Sequence, residues 1–456
     1  MTDRSNGRES SEGDGRESSD ANGPTNETIG RTSPATNGGT TVVYGASELV
    51  VGPSSRNGIW NAISGSGDGV VERIEDGAFA AVDGSVVAVG PTDEVIREYP
   101  PENADTAIDA SGRAVLPGFV DPHTHAVFAG DRSDEFEAKL RGTTYDEILA
   151  EGGGILRTVR AVREASDEEL LNNLLAHLDV MLAHGTTTAE VKSGYGLDTE
   201  TELRTLEVIA RADERHPIDL APTFLGAHAV PEDRDSTAYV DEVVDEQIPA
   251  VESQEIAEFC DVFCEEGVFD VEESRRVLEA GTEAGLTPKV HAEELSHLGG
   301  TLLAAEVGAA SADHLLYATD EDVEALIDAG TVPVLLPGTA FGLGVEYADA
   351  RAFLELDAPV ALATDFNPNC HSRSMGFVQS LSCVEMRMTP DEALIGSTAH
   401  AAEAIDRDDG TGTLREGAPA DALVLETPSA AHVPYRLDTP AVETVLKGGT
   451  EVYHRA

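Results

Sequence analysis

The chain has 456 residues, of which 85 are acidic and 30 basic, giving a formal charge of −55 at pH 7. That length suits one large domain with a smaller companion, or two to three domains, with a sizeable core. The acidic excess is spread along the whole chain, so it repels nucleic acid and anionic membranes and points to a cytoplasm salty enough to screen self-repulsion. Cys260, Cys264, Cys370 and Cys383 follow no framework spacing, as expected of a reduced, cytoplasmic protein. No apolar run approaches the roughly 20 residues that span a bilayer, and the N-terminus lacks an apolar signal core.

Residues 1–40 are polar and Gly-rich, with Ile29 the only large aliphatic after Met1, and read as a disordered tail. From 41 to 115 short β-type runs such as TVVYGASELVV and GAFAAVDGSVVAVG alternate with Gly and Asp turns. Similar runs return in 413–456, as ADALVLETP and AVETVLKGGTEVYH. The economical arrangement is a small β-sandwich built from both chain ends, with 116–412 inserted between them. That middle alternates strand candidates with helical patterns: AVLPGFVDPHTH, TTTAEVKS, LAPTFLGAH, FCDVFCEE, TPKVHAEE, SADHLL, TVPVLLPG and APVALATDF. Eight β-then-α units predict an α/β fold of the (β/α)₈ barrel type, with its active site at the carboxyl ends of the strands.

Polar residues stand at those ends. The first strand, LPGFVDPHTH, is expected to close on His123 and His125, which alternation places on one face with Cα atoms about 6 to 7 Å apart. His228 ends the third strand, His291 and Glu294 the fifth, His314 the sixth and Asp365 the eighth. His123, His125, His291 and Asp365 form a plausible shell for one Zn²⁺ or Fe²⁺ with a position open to water. Glu294, three residues beyond His291, suits a proton shuttle. His314 and His228 suit a carbonyl or a ring, although backbone-satisfied histidines are common. Arg132, scarce as a base here, has the fork geometry for a substrate carboxylate, its alternative being a surface pair with Asp131 or Asp134. Lys192 raises the idea of a carbamylated lysine bridging two metals, but it falls on the second strand while the fourth ends in Cys264, Glu265 and Glu266, which favours one metal. Gly152 to Gly154 are followed by no Gly-Lys-Ser/Thr and read as a turn before a helix. Cys260 and Cys264 stand too far apart along a strand to share a zinc.

The split sandwich, the barrel, the His-x-His and the late Asp resemble the amidohydrolase superfamily. Within it, HTHAVFAGDRSDEF, EGGGI, KSGYGLD, FLGAHAVP, VFCEEGVF, KVHAEE, ADHL and TDFNPN, in that order, look like the imidazolonepropionase family of histidine degradation. The resemblance implies one zinc or iron on His123, His125, His291 and Asp365, and substrate contacts from Arg132, Tyr195, His228 and Glu294. It also implies that Asn367, Asn369 and Cys370 line the product's glutamate end and that His314 stands beside the metal water. Many members carry Gly then Ser or Thr where this chain has Asn369 and Cys370, a departure that touches those contacts and not the metal chemistry. The implied reaction opens 4-imidazolone-5-propanoate to N-formimidoyl-L-glutamate, with Glu294, His314 and Asp365 as the catalytic groups, and a homodimer is expected. The rivals are a purine or pyrimidine deaminase, which the same residues suit, and a non-catalytic metal-binding barrel.

Overall fold

The computed structural model describes residues 39–54, 70–143, 147–148 and 152–455. The expected tail, apart from residues 39 and 40, lies outside them.

The first seven strands are β1 Thr40–Ala46, β2 Glu48–Pro53, β3 Val71–Ile74, β4 Gly77–Val82, β5 Ser85–Pro91, β6 Thr106–Asp109 and β7 Ala114–Pro117. The last three are β16 Ala422–Leu425, β17 Val442–Lys447 and β18 Thr450–His454. They form two sheets, ordered β5-β4-β1-β6 and β18-β17-β16-β7-β2-β3. The second sheet joins the two chain ends where β16 pairs antiparallel with β7. Val43, Leu49, Phe79, Val115, Val424 and Leu446 pack together between the sheets. Alternating apolar residues thus turn inward from strands more than 300 residues apart in the chain, because each sheet has one face to hide from water.

Between them stand eight strands: β8 Phe119–Asp121, β9 Thr186–Lys192, β10 Asp219–Ala227, β11 Phe259–Cys264, β12 Thr287–Ala292, β13 Ser311–His314, β14 Val332–Leu335 and β15 Ala361–Leu362. Each pairs in parallel with the next. Helices connect them. Asp167–Ala183 lies between β8 and β9 and buries Leu170, Leu171, Leu174, Leu178, Met181 and Leu182 along one stripe. Fully buried leucines of this kind contribute about 1.5 to 3 kcal/mol each. Its start is fixed by Ser166, whose hydroxyl accepts from the Glu169 N–H. Capping boxes of Asp270 with Glu273 and Thr319 with Asp322 start later helices in the same way. Among the described residues no helix is long and apolar enough to cross a membrane.

One expected element divides in two. AVLPGFVDPHTH reads as a single strand, but β7 belongs to the sandwich and β8 to the barrel. Gly118 is the hinge: a Cβ there would stand 2.1 Å from Thr187 Oγ1, so only glycine lets the chain pass from one sheet to the other. Regular pairing of β8 also stops at Asp121, ahead of both histidines.

The barrel closes just beyond the ends of β8 and β15. The Asp121 carboxylate accepts from the Thr364 N–H at 3.0 Å and from its hydroxyl at 2.6 Å. Further along, Asp365 N–H donates to the His123 carbonyl at 3.2 Å and His125 N–H to the Phe366 carbonyl at 2.9 Å. The seam therefore runs through three of the expected metal ligands.

Candidate metal centre

His123, His125 and His291 bring their ring nitrogens within 4.8 Å of one another, and His123 does the same with His314 and Asp365. Asp365 Oδ1 lies 3.7 Å from His123 Nε2 and 3.6 Å from His125 Nε2. His291 Nε2 is 3.4 Å from His125 Nε2. All five residues are buried. Among the described residues His123 Nε2 and Asp365 Oδ1 have no hydrogen-bond partner, and they stand 3.7 Å apart. Buried polar atoms are rarely left so. Four converging donors, two of them orphaned, are what a divalent ion satisfies, and the three-nitrogen, one-oxygen set fits zinc or iron chemistry.

A layer beneath the rings fixes their orientation. Asp313 Oδ2 accepts from His123 Nδ1 at 2.6 Å, and Asp261 accepts from His291 Nδ1 at 3.1 Å. With Nδ1 carrying the proton, each Nε2 is left as a lone pair facing the gap. Both carboxylates are fully buried and so need compensation. Lys192 Nζ supplies it, donating to Asp261 Oδ2 at 2.7 Å and Glu190 Oε1 at 2.6 Å, with Asp313 Oδ2 at 3.8 Å. Burial opposes both charges, yet His291 and Lys192 hold Asp261 well below the ordinary carboxylate range, while Asp261, Glu190 and Asp313 raise the Lys192 ammonium. Lys289 sits alongside, donating to Ser311 Oγ at 2.8 Å and to the Ala404 carbonyl at 3.0 Å. Lys192 is thus a counter-ion below the centre. Burial, then the Lys192 charge, keep His123 neutral, as a ligand must be.

Around the gap stand the other expected residues. His228 stacks on His125, with ring centroids 4.8 Å apart, and its Nδ1 donates to the Gly194 carbonyl at 2.9 Å. Gly194 has φ +94°, and a Cβ on it would press on that same nitrogen at 2.9 Å, so the KSGYG turn needs glycine here. Burial pushes the His228 imidazole down to about 3, leaving it neutral. Tyr195 is buried within ring contact of His125 and His228, at 5.8 and 5.3 Å.

The two glutamates after His291 separate cleanly. Glu293, at φ +50°, accepts the N–H groups of Gly299, Gly300 and Thr301 and so starts the helix Gly300–Val307. Glu294 turns the other way, with Oε2 3.8 Å from His314 Nε2. Burial, then the Asp365 charge, raise the Glu294 carboxyl to about 8.

Arg132 is buried and already held: Nε and Nη2 reach Glu135 Oε2 at 2.9 and 2.8 Å. The other Glu135 oxygen accepts the Gly154 N–H at 3.0 Å, tying the glycine run to the Arg132 loop. Asn367 Oδ1 accepts the N–H groups of Asn369 and Cys370, shaping the turn after Asp365. Asn369 Oδ1 takes Lys139 Nζ at 2.5 Å, and the buried Cys370 thiol faces the Thr364 carbonyl at 3.5 Å. Those two side chains therefore have partners within the protein.

Residues 114–452 match the amidohydrolase family model. The chain is 69% identical over 90% of its length to an imidazolonepropionase of Haloarcula marismortui, covering 95% of that protein. It is 62% identical to one of Halobacterium salinarum, over 90% of this chain and 97% of that one. The chain belongs to the imidazolonepropionase family of amidohydrolases. A zinc-bound adenosine deaminase from Xanthomonas campestris superposes with TM-score 0.67 at 15% identity, covering 90% of this chain and 92% of that one, a likeness of fold. Membership of the imidazolonepropionase family makes the centre a divalent-metal site, and its relatives from Haloarcula and Halobacterium accord with the salt adaptation read from the charge of −55.

Proposed function

We propose that the protein hydrolyses 4-imidazolone-5-propanoate to N-formimidoyl-L-glutamate, with zinc or iron held by His123, His125, His291 and Asp365. What carries the reading is that kinship to imidazolonepropionases coincides with orphaned donors on His123 Nε2 and Asp365 Oδ1. A divalent ion there supplies Lewis acidity and makes water a nucleophile at neutral pH.

The remaining steps fall to the chain's own groups. Arg132, braced by Glu135, binds the propionate with Tyr195 and so aims the ring carbonyl at the centre. Asp365 accepts a proton as water adds to the carbonyl carbon. His228, whose Nδ1 is tied to Gly194, and His314 beside Glu294 are placed to stabilise the oxygen as it gains charge. The C–N bond then breaks, and Glu294 delivers the proton that the departing nitrogen needs. Asn367, through the turn it holds, shapes the end where the new carboxylate forms, and Asn369 and Cys370 supply backbone there. Within the expected 116–412, the barrel from β8 onward carries the chemistry; 41–115 and the end of β7, with 413–456, carry the sandwich. We place the enzyme in the cytoplasm, as a homodimer acting on a small molecule without nucleic acid.

Loss of 4-imidazolone-5-propanoate in concentrated KCl is the test. Turnover should vanish with a chelator and return with zinc or iron; chelator-insensitive turnover would contradict the reading.

A further inference from the structure

A cavity of about 290 Å³ lies away from the metal centre, between the segment after Asp365 and the loop before β17. None of the four metal ligands lines it. Its walls include Arg373, His184, His371, Phe377, Val433 and Asp438.

Arg373 is out of keeping with the rest of the molecule. Acids outnumber bases 85 to 30, and every other half-buried arginine among the described residues holds a carboxylate. Arg373 holds none among the described residues; its guanidinium lies over the Phe366 ring, 5.4 Å from the centroid. Partial burial without a partner charge is costly, and a guanidinium fork is shaped for a carboxylate. The two flanking imidazoles leave that role open. Burial, then the Arg373 charge, hold both His184 and His371 below the usual imidazole range, so they meet a ligand as neutral rings.

Asp438 stands on the same cavity, pairing neither with Arg373 nor with another cation among the described residues. A dianion would be repelled there, whereas an ammonium would be accepted. Phe377 and Val433 supply an apolar wall for a side chain.

We infer that this cavity is a second ligand site, taking a small zwitterion of the α-amino-acid type with its carboxylate on Arg373, its ammonium toward Asp438 and its side chain on Phe377 and Val433. The volume, about 290 Å³, falls just short of the ligand-pocket range, which starts at about 300 Å³, and so suits a small ligand.

Three probes of one shape and different charge test it: L-phenylalanine, 3-phenylpropanoate and phenethylamine, titrated calorimetrically into the metal-loaded full chain in concentrated KCl. L-Phenylalanine should bind most tightly and phenethylamine least. Arg373→Gln should weaken L-phenylalanine at least tenfold, and Arg373→Lys should retain most of the binding. Asp438→Asn should bring L-phenylalanine level with 3-phenylpropanoate, while Arg132→Ala, at a residue that does not line the cavity, should leave L-phenylalanine binding unchanged. No binding by any probe, indifference to Arg373→Gln, or loss of binding in Arg132→Ala would each overturn the assignment. Should Arg373→Gln fail to fold, Arg373→Lys and Asp438→Asn still decide it.

Discussion

Asp365 donates its backbone N–H to the His123 carbonyl at 3.2 Å, and its side-chain Oδ1 lies 3.7 Å from Nε2 of the same histidine. One contact closes the barrel and the other assembles the metal site. The seam between first and last strands, where a barrel is most easily sprung, is therefore clamped by the ion that the site would bind, and metal removal should lower stability as well as activity. Metal-free protein should unfold at lower denaturant than the loaded form; equal midpoints would contradict the clamp.

Asp313 holds His123 through Nδ1 at 2.6 Å. Asp313→Ala should cost about 10- to 100-fold in metal affinity, the usual effect of removing a carboxylate behind a ligating imidazole. Competition against a chromophoric chelator measures it. Unchanged affinity would mean that ring packing alone orients His123.

Lys192 lies between Glu190, Asp261 and Asp313 with its side chain wholly buried. Lys192→Met would strand those carboxylates without a counter-charge, a change of the kind that costs about 3 to 5 kcal/mol. Denaturant titration of the metal-free variant against metal-free wild type isolates this from the loss of the ion. A near-neutral result would show the carboxylates already compensated by Lys289 and the histidines.

How much of this was legible in the sequence depended on whether a residue looked out of place. His123, His125, His291 and Asp365 stood out because histidines and a lone Asp ending apolar runs have few other reasons to be there. Asp261 and Asp313 gave no such signal: in a chain with 85 acidic residues, one more Asp on a strand is unremarked, and their partners lie 30 and 190 positions away. A signal did exist in Lys192 and Lys289, two lysines inside apolar strands of a base-poor chain, whose buried charges call for carboxylates nearby. Glu293 and Glu294 were likewise inseparable by type, since the positive φ of Glu293 turns its side chain toward the next helix. The break at Gly118 was hidden because its cause, Thr187, arrives from another strand.

Arg132 touches Glu135 and no proposed metal ligand among its hydrogen bonds. Arg132→Ala should raise KM at least tenfold with metal content unchanged, because it removes substrate binding shared by ground and transition states. Metal-free Arg132→Ala, measured by elemental analysis, would sink that division of labour.

Glu294 has its carboxyl raised to about 8, so it keeps its proton through the neutral range and loses it as pH passes that value. As donor to the departing nitrogen it should impose a fall in kcat/KM above about pH 8. Glu294→Gln should be slower throughout by about 10²- to 10⁴-fold and lack that limb. An unchanged alkaline limb in the variant would assign it to another group.

The charge of −55 makes folding dependent on screening. Transfer from concentrated KCl to dilute buffer should broaden or abolish cooperative unfolding; a sharp, salt-independent transition would remove the case for salt adaptation.

The most direct test of the central claim is the identity of the product. Purified enzyme in concentrated KCl, given freshly generated 4-imidazolone-5-propanoate, should yield N-formimidoyl-L-glutamate in step with substrate loss and no ammonia above a no-enzyme control. Ammonia released in step with turnover would contradict ring opening and make the centre that of a deaminase.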